Sequence, residues 1–333
     1  MPEEDYPRTL FEFENRFAEE EACFKYLESL RWPEGFLCPQ CGNSEAWKMT
    51  RGLWLCSQCR KQVSILAGTA FQDSHLQIQT WFRAMWHICS QKNGMSALGL
   101  QRVLGLGSYR SAWLMLHKLR RAMVRPHREK LQGVVEVDET YWGAAETGVT
   151  TGRQIVSKAL IIIAAEVSGR GIGRIRMQKI PSFDRKSLHN FIQESIEEGS
   201  TVCTDGLNSY RELSGYKHDR KIQRKQQKGQ VLLSRAHLAI SLFKRWMLGT
   251  LQGGVPHKYL EDYLNEFVFR FNRRKSASRG KLFLRLAQQA TQIDPVPYKI
   301  ISQTRDPISS VRSERMFSPG QDLCIQPDRA PRG

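Results

Sequence analysis

Apolar positions along the chain follow two different periods, and the change between them divides it. From 75 to 125 the spacing is helical. Trp81, Phe82, Met85, Trp86 and Ile88 mark an amphipathic segment over Gln77–Gln91, and Trp113, Leu114, Leu116, Leu119 and Met123 mark another. Between them Asn93-Gly94 is a break, Met95–Leu104 reads as a short helix, Gly105-Leu-Gly107 as a turn, and Ser108 as the cap of the next helix. From Gly133 the pattern shifts to strands near 133–140, 157–167 and 173–180. A helix from Asp184, its predicted N-cap, to Glu198 follows, then a strand Thr201–Thr204 and a short helix Leu207–Leu213. Two more amphipathic helices are predicted over Arg235–Gly249 and Pro256–Arg274, and residues 8–31 read as one helix on Phe11, Phe17, Phe24, Tyr26 and Leu27. Beyond about residue 292 no period survives, which predicts a poorly ordered basic tail over 291–333.

Composition narrows the class. The 333 residues are 41% hydrophobic, enough for two or three domains at roughly 150 residues each. No apolar run approaches the ~18 residues of a membrane helix, and Ala159–Ala165, the best, is short and rich in Ile as a buried strand is. The opening Met-Pro-Glu-Glu-Asp is acidic and unlike a secretory leader, so a reducing cytoplasm is expected, and with it ligand or buried roles for the eight cysteines. Lys and Arg number 50 against 33 Asp and Glu, a net charge of +17 that suits a polyanion such as nucleic acid. Six of those bases stand in 217–228, either a solvated loop or a nucleic-acid contact.

Cys38-Pro-Gln-Cys41 and Cys56-Ser-Gln-Cys59, fourteen residues apart, have the spacing of a four-cysteine zinc ribbon. Each Cys-x-x-Cys turn presents two thiolates on one face, and two turns complete a tetrahedron closed to solvent, so the zinc is structural. Trp47, Leu53 and Trp54 are expected on short strands over the metal. The short helix, glycine turn and longer helix of 95–125 make a helix-turn-helix pattern. On that reading Ser108, Tyr109 and Arg110 face DNA bases, while Lys118, Arg120, Arg121 and Arg125 meet phosphate; Arg270, Arg273 and Arg274 form a second basic strip.

Asp138 and Asp205 each close an apolar run. Carboxylates on adjacent strands, with a third ligand from a helix, are how a protein holds two hard cations for phosphodiester chemistry. His237 is the candidate third ligand, with Lys244 two helical turns on along the same face, placed to hold phosphate. Glu136 and Glu139 compete with Asp138; alternation puts Glu136 on its side of the strand and Glu139 on the other. Glu261, Asp262 and above all Glu266 are acidic rivals to His237.

Taken together, Phe36-Leu-Cys-Pro-Gln-Cys-Gly42, Val137-Asp-Glu-Thr-Tyr141, Thr204-Asp-Gly206, His237 through Gly249, and Tyr263-Leu-Asn-Glu-Phe-Val-Phe-Arg-Phe-Asn-Arg-Arg274 carry a resemblance. Over about residues 20–290 the chain resembles bacterial insertion-sequence transposases with an N-terminal zinc ribbon and an ISXO-like DDE domain. The resemblance implies an α+β multidomain chain: an N-terminal helix to 35, the ribbon over 36–70, a helix-turn-helix-like domain over 75–128, and a ribonuclease-H-like α/β catalytic core over 132–290. It implies Mg2+ or Mn2+ at Asp138, Asp205 and a third position that varies among Asn, His and Glu with Lys seven residues on, here His237 and Lys244. The implied partners are double-stranded DNA, as inverted-repeat ends and as target, and further copies of the chain in a dimer or larger assembly. The implied location is the cytoplasm, at the nucleoid. The alternative is a zinc-ribbon DNA-binding regulator, or a domesticated transposase that has lost the chemistry.

Overall fold

The computed structural model describes residues 4–125, 128–143, 158–222 and 232–303. Where one N-terminal helix was expected there are two, α1 (Leu10–Arg16) and α2 (Glu20–Arg31). The inward positions explain the break. Phe13 and Phe17 are buried from α1 and its end, Cys23, Tyr26 and Leu27 from α2, and the step from 17 to 23 is out of helical phase. A continuous helix would expose one set. Thr9 caps α1 by accepting the Glu12 N–H.

The ribbon follows as three antiparallel strands, β1 (Ala46–Lys48), β2 (Leu53–Cys56) and β3 (Gln62–Ser64). Its core is small: Phe36 stacks on Trp54 at 5.5 Å, with Trp32 edge-on to both. Trp47 does not cover it; the ring is half exposed and lies under the Arg60 guanidinium at 4.7 Å.

A helical layer is built from α3 (Ile78–Ser90), α4 (Ala97–Leu104) and α5 (Tyr109–Ala122). Ser108 caps α5 and Gly105 turns the chain in the left-handed region, as expected, and Ser96 caps α4 by accepting the Gly99 N–H. This layer shares one core with α1, α2 and α9 (Arg279–Ala290), a helix the apolar pattern did not single out. Phe283 of α9 sits among Phe13, Phe17, Tyr26, Phe82 and Trp86. Gly280 permits this docking, because a Cβ there would lie 1.6 Å from the Pro7 carbonyl oxygen.

The second layer is a five-stranded sheet of β4 (Val134–Trp142), β5 (Ala159–Ser168), β6 (Gly171–Ile180), β7 (Thr201–Thr204) and β8 (Lys217–Arg220), in the order β6-β5-β4-β7-β8. The first three strands are antiparallel, and β7 and β8 run parallel to β4. One face packs on α6 (Arg185–Ser195), burying Val135, Val137 and Ile162 with Leu188, Phe191 and Ile192. The other packs on α7 (Ser234–Leu251) and α8 (Leu260–Asn272), burying Ile161, Ile163 and Trp142 with Phe243 and Phe267.

Asp184 caps α6 as expected, but the helix stops at Ser195, short of Gly199, because Ile196 forms a parallel bridge with Leu131. The predicted helix 207–213 is a single 3-10 turn at Asn208–Tyr210, and a similar turn at His257–Tyr259 precedes α8. The expected tail is ordered at its start, where α10 (Tyr298–Gln303) packs on α5; the rest of it, and residues 223–228 of the basic segment, lie outside the described residues. No helix among the described residues is long and apolar enough to cross a membrane.

Candidate active site

The parallel pairing of β4 with β7 brings the two aspartates together. Its last matched positions are Glu136 and Cys203, and two residues further along each strand stand Asp138 and Asp205. Asp205 also accepts the Leu207 N–H at 2.9 Å, which turns the chain away at the strand end. Asp138 points to the α7 face, where the His237 Nδ1 atom lies 3.6 Å from its Oδ2. Burial pushes the Asp138 carboxyl above its ordinary range; His237 opposes this, and the charges of Asp205 and Glu136 add to it. Acidic groups thus converge where solvent is reduced, while His237, 54% exposed on its side chain, leaves one side open. Lys244 follows on the same side of α7, partly buried.

The flanking glutamates have distinct places. Glu136 shares the Asp138 face and accepts the backbone N–H groups of Arg235 at 2.6 Å and Ala236 at 3.0 Å. Glu139 faces the α6 side beside the buried Tyr210 hydroxyl, and its Oε1 has no hydrogen-bond partner among the described residues. Burial, with Asp205 and Asp138 adding repulsion, pushes Glu139 up to about 7. The strict alternation of Glu-Val-Asp-Glu in a strand was the available signal for both. Sequence reasoning read Glu136 as a competitor of Asp138 and did not see its contact with a helix 100 residues on.

The acidic rivals to His237 are engaged elsewhere. Glu261 accepts the Lys179 N–H at 2.9 Å. Asp262 bonds His117 Nδ1 at 2.6 Å and Arg121 Nε at 3.2 Å. Glu266, 0% exposed, accepts from Arg120 Nε at 2.8 Å and Arg270 Nη1 at 3.2 Å.

This network corrects part of the expected DNA surface. Arg120 is 1% exposed and its guanidinium stacks 4.0 Å from the Tyr263 ring, so it belongs to the seam between α5 and α8. Lys118 is buried too and donates to the Gln72 carbonyl at 2.9 Å. The cause is that the second half of α5 is enclosed: Arg120 and Arg121 turn onto α8 and Lys118 onto the chain at Gln72, so bases that look like a phosphate-facing run point inward. Arg121 pairs with Asp262 and Arg125 with Glu129. Arg270 also donates to the Gln91 carbonyl at 2.8 Å, Arg273 to the Phe269 carbonyl at 3.2 Å, and Arg274 to the carbonyls of Gly173, Ile172 and Phe271. Ser108 accepts the Arg110 N–H as a cap, Tyr109 is half exposed, and Arg110 stacks 3.9 Å from the Tyr298 ring of α10.

The four ribbon cysteines hold their sulfur atoms within 4.8 Å of one another, the donor set of a structural zinc site. Cys38 lies 3.6 Å from Cys59 and Cys41 3.6 Å from Cys56. The backbone N–H groups of Cys59 and Gln58 lower the Cys56 thiol, whereas burial and the neighbouring sulfurs raise that of Cys41, so the four thiols titrate as one set. No other such group of acidic, histidine or cysteine residues among the described residues draws its atoms as close.

A four-cysteine ribbon thus stands ahead of a mixed sheet that carries the two aspartates. Residues 18–62 match the transposase zinc-ribbon domain and residues 130–272 the ISXO2-like transposase domain, together more than half of the chain. The chain belongs to this family of insertion-sequence transposases with an N-terminal zinc ribbon and an ISXO2-like DDE domain. A relative at 24% identity over 285 residues, covering 76% of this chain and 91% of the relative, is an uncharacterized protein in transposable element ISH50 of Halobacterium salinarum. A chain of the simian T-cell lymphotropic virus intasome in complex with PP2A regulatory subunit B56 gamma aligns over 61% of this chain and 76% of its own, at 10% identity and a TM-score of 0.28.

Proposed function

We propose that the protein is a metal-dependent DNA transposase that binds inverted-repeat ends, cleaves them and joins the freed 3′-hydroxyls to target DNA. The observation that carries this reading is the parallel pairing of β4 with β7, which runs toward Asp138 and Asp205 at the same end of neighbouring strands, with His237 Nδ1 3.6 Å from Asp138. Three antiparallel strands, a helix and two parallel strands, ordered β6-β5-β4-β7-β8, support a ribonuclease-H-like core. The donor set suits a hard divalent cation: oxygen ligands from two carboxylates, one imidazole, and acidic groups whose mutual repulsion a cation would relieve. Mg2+ or Mn2+ would be held by Asp138, Asp205 and His237 and, when bound, supplies Lewis acidity at the scissile phosphate.

The protein's own groups do the rest. The open side at His237 admits a DNA strand, and Lys244, two turns along α7, holds its phosphate. Hydrolysis forms one phosphorus–oxygen bond from water and breaks the bond to the 3′-oxygen. Strand transfer then forms one bond from that 3′-hydroxyl to a target phosphate and breaks one target bond. The exposed start of α5, at Ser108, Tyr109 and Arg110, and the zinc ribbon supply DNA contacts, and two ends held together require at least a dimer. A plasmid carrying the gene with its flanking DNA, incubated with protein and Mg2+, tests this. Asp138→Asn is expected to bind the flanks and leave them uncut; nicking by that variant at the wild-type rate would refute the assignment.

A further inference from the structure

Helix α7 begins without any cap of its own. The residue before it, Leu233, offers no side-chain acceptor and has a left-handed backbone at φ 48°, and the first turn holds no acidic residue. Yet its N-terminus is packed against the sheet: Ala236 is fully buried, so water cannot reach its N–H group. The acceptor comes from the strand. Glu136 Oε2 takes the N–H of Arg235 at 2.6 Å and of Ala236 at 3.0 Å, and Oε1 lies 3.5 Å from the Arg235 guanidinium. A negative carboxylate at the positive end of an eighteen-residue helix is also favoured by the aligned peptide dipoles.

We propose that Glu136 is a positioning residue of the active site, a strap that fixes His237 against Asp138. Two covalent connections make the coupling short. Glu136 is two residues before Asp138 on the same face of β4, and the peptide it holds, Ala236, precedes His237 directly. The distance between His237 and Asp138 is therefore set by one carboxylate gripping two amides. The inference rests on the reading of Asp138, Asp205 and His237 as the cation-binding set.

Mn2+ binding to the full-length, zinc-loaded protein, followed by electron paramagnetic resonance, tests it together with amide hydrogen exchange at Arg235 and Ala236. Partners that orient a metal ligand typically contribute about 10–100-fold in affinity. Glu136→Ala is expected to weaken Mn2+ binding about ten-fold or more and to lose protection at both amides. Glu136→Gln keeps an acceptor oxygen and is expected to retain both largely. Wild-type Mn2+ affinity in Glu136→Ala, with Asp138→Asn deficient, overturns the strap and spares the site. Wild-type affinity in Asp138→Asn overturns the site itself and the strap with it. If Glu136→Ala does not fold, Glu136→Gln decides alone: intact amide protection with an affinity lowered ten-fold would mean that the carboxylate charge, not the positioning, matters.

Discussion

The seam between α5 and α8 predicts a large and selective loss on substitution of Glu266. Its carboxylate is fully buried and bonded to Arg120 and Arg270, and Arg120 is itself 1% exposed. Glu266→Ala removes one partner and strands the Arg120 charge; Asp262, the nearest other acid of α8, is already bonded to His117 and Arg121. Breaking a buried pair from one side costs about 3–5 kcal/mol, because the remaining ion keeps its desolvation penalty. Arg270→Ala should cost less, about 1.5–3 kcal/mol, since Arg270 lies at the edge of the seam and Glu266 keeps Arg120. Replacing both core ions, as Arg120→Met with Glu266→Leu, removes the charges together and should recover most of the loss. Urea unfolding at fixed zinc, read by tryptophan fluorescence and circular dichroism to check that the transitions coincide, gives these values. A Glu266→Ala protein within about 1 kcal/mol of wild type, or a double variant no more stable than Glu266→Ala, would refute the reasoning. The double variant should also bind Mn2+ as the wild type does, because Glu266 serves the seam and not the cation.

Cys56→Ser should remove stoichiometric zinc, by metal analysis, while leaving the far-ultraviolet spectrum nearly unchanged, since the ribbon has its own small core. Glu139 is pushed up to about 7 from an ordinary 4.5, so as a neutral acid it favours folding below pH 4.5, and that contribution is lost as pH rises through 7. Metal-free Glu139→Gln should accordingly be more stable than wild type at pH 8, by roughly 3 kcal/mol at most, with the gap closing below pH 4.5 in thermal melts. Gly94→Ala should cost about 1–3 kcal/mol in the same unfolding assay: φ is +70° there, and a Cβ would sit 2.4 Å from both Arg270 Nη1 and Glu266 Oε1.

What could be read from the residues was what local chemistry decides. Ser108 and Asp184 are caps because a short oxygen side chain reaches N–H groups two or three residues on, and that relation is visible in sequence. The cysteine ribbon and the strand alternation that aims Asp138 inward are of the same kind. What was not legible was which face of a basic or acidic run meets a distant partner. Lys118 and Arg120 looked like a phosphate-binding run because the helix that buries Arg120 lies some 145 residues further on. Glu136 read as a competitor of Asp138 because its partners lie about 100 residues away. Phe11 looked inward-facing on period alone; it is 76% exposed, while Phe13 and Phe17 carry the packing.

The union of α9 with the first two helices has a consequence for how the protein is made. Glu4 pairs with Lys281 and Arg285, Pro7 lies on Gly280, and Phe283 completes the aromatic cluster begun by Phe13. During synthesis the amino-terminal helices must therefore wait, with an unfinished apolar face, until residue 290 has left the ribosome. The sheet, which lies wholly between them, can form first. A messenger truncated before α9 would release a chain with its helical layer unclosed, so an incomplete copy of the gene is expected to yield an aggregation-prone product.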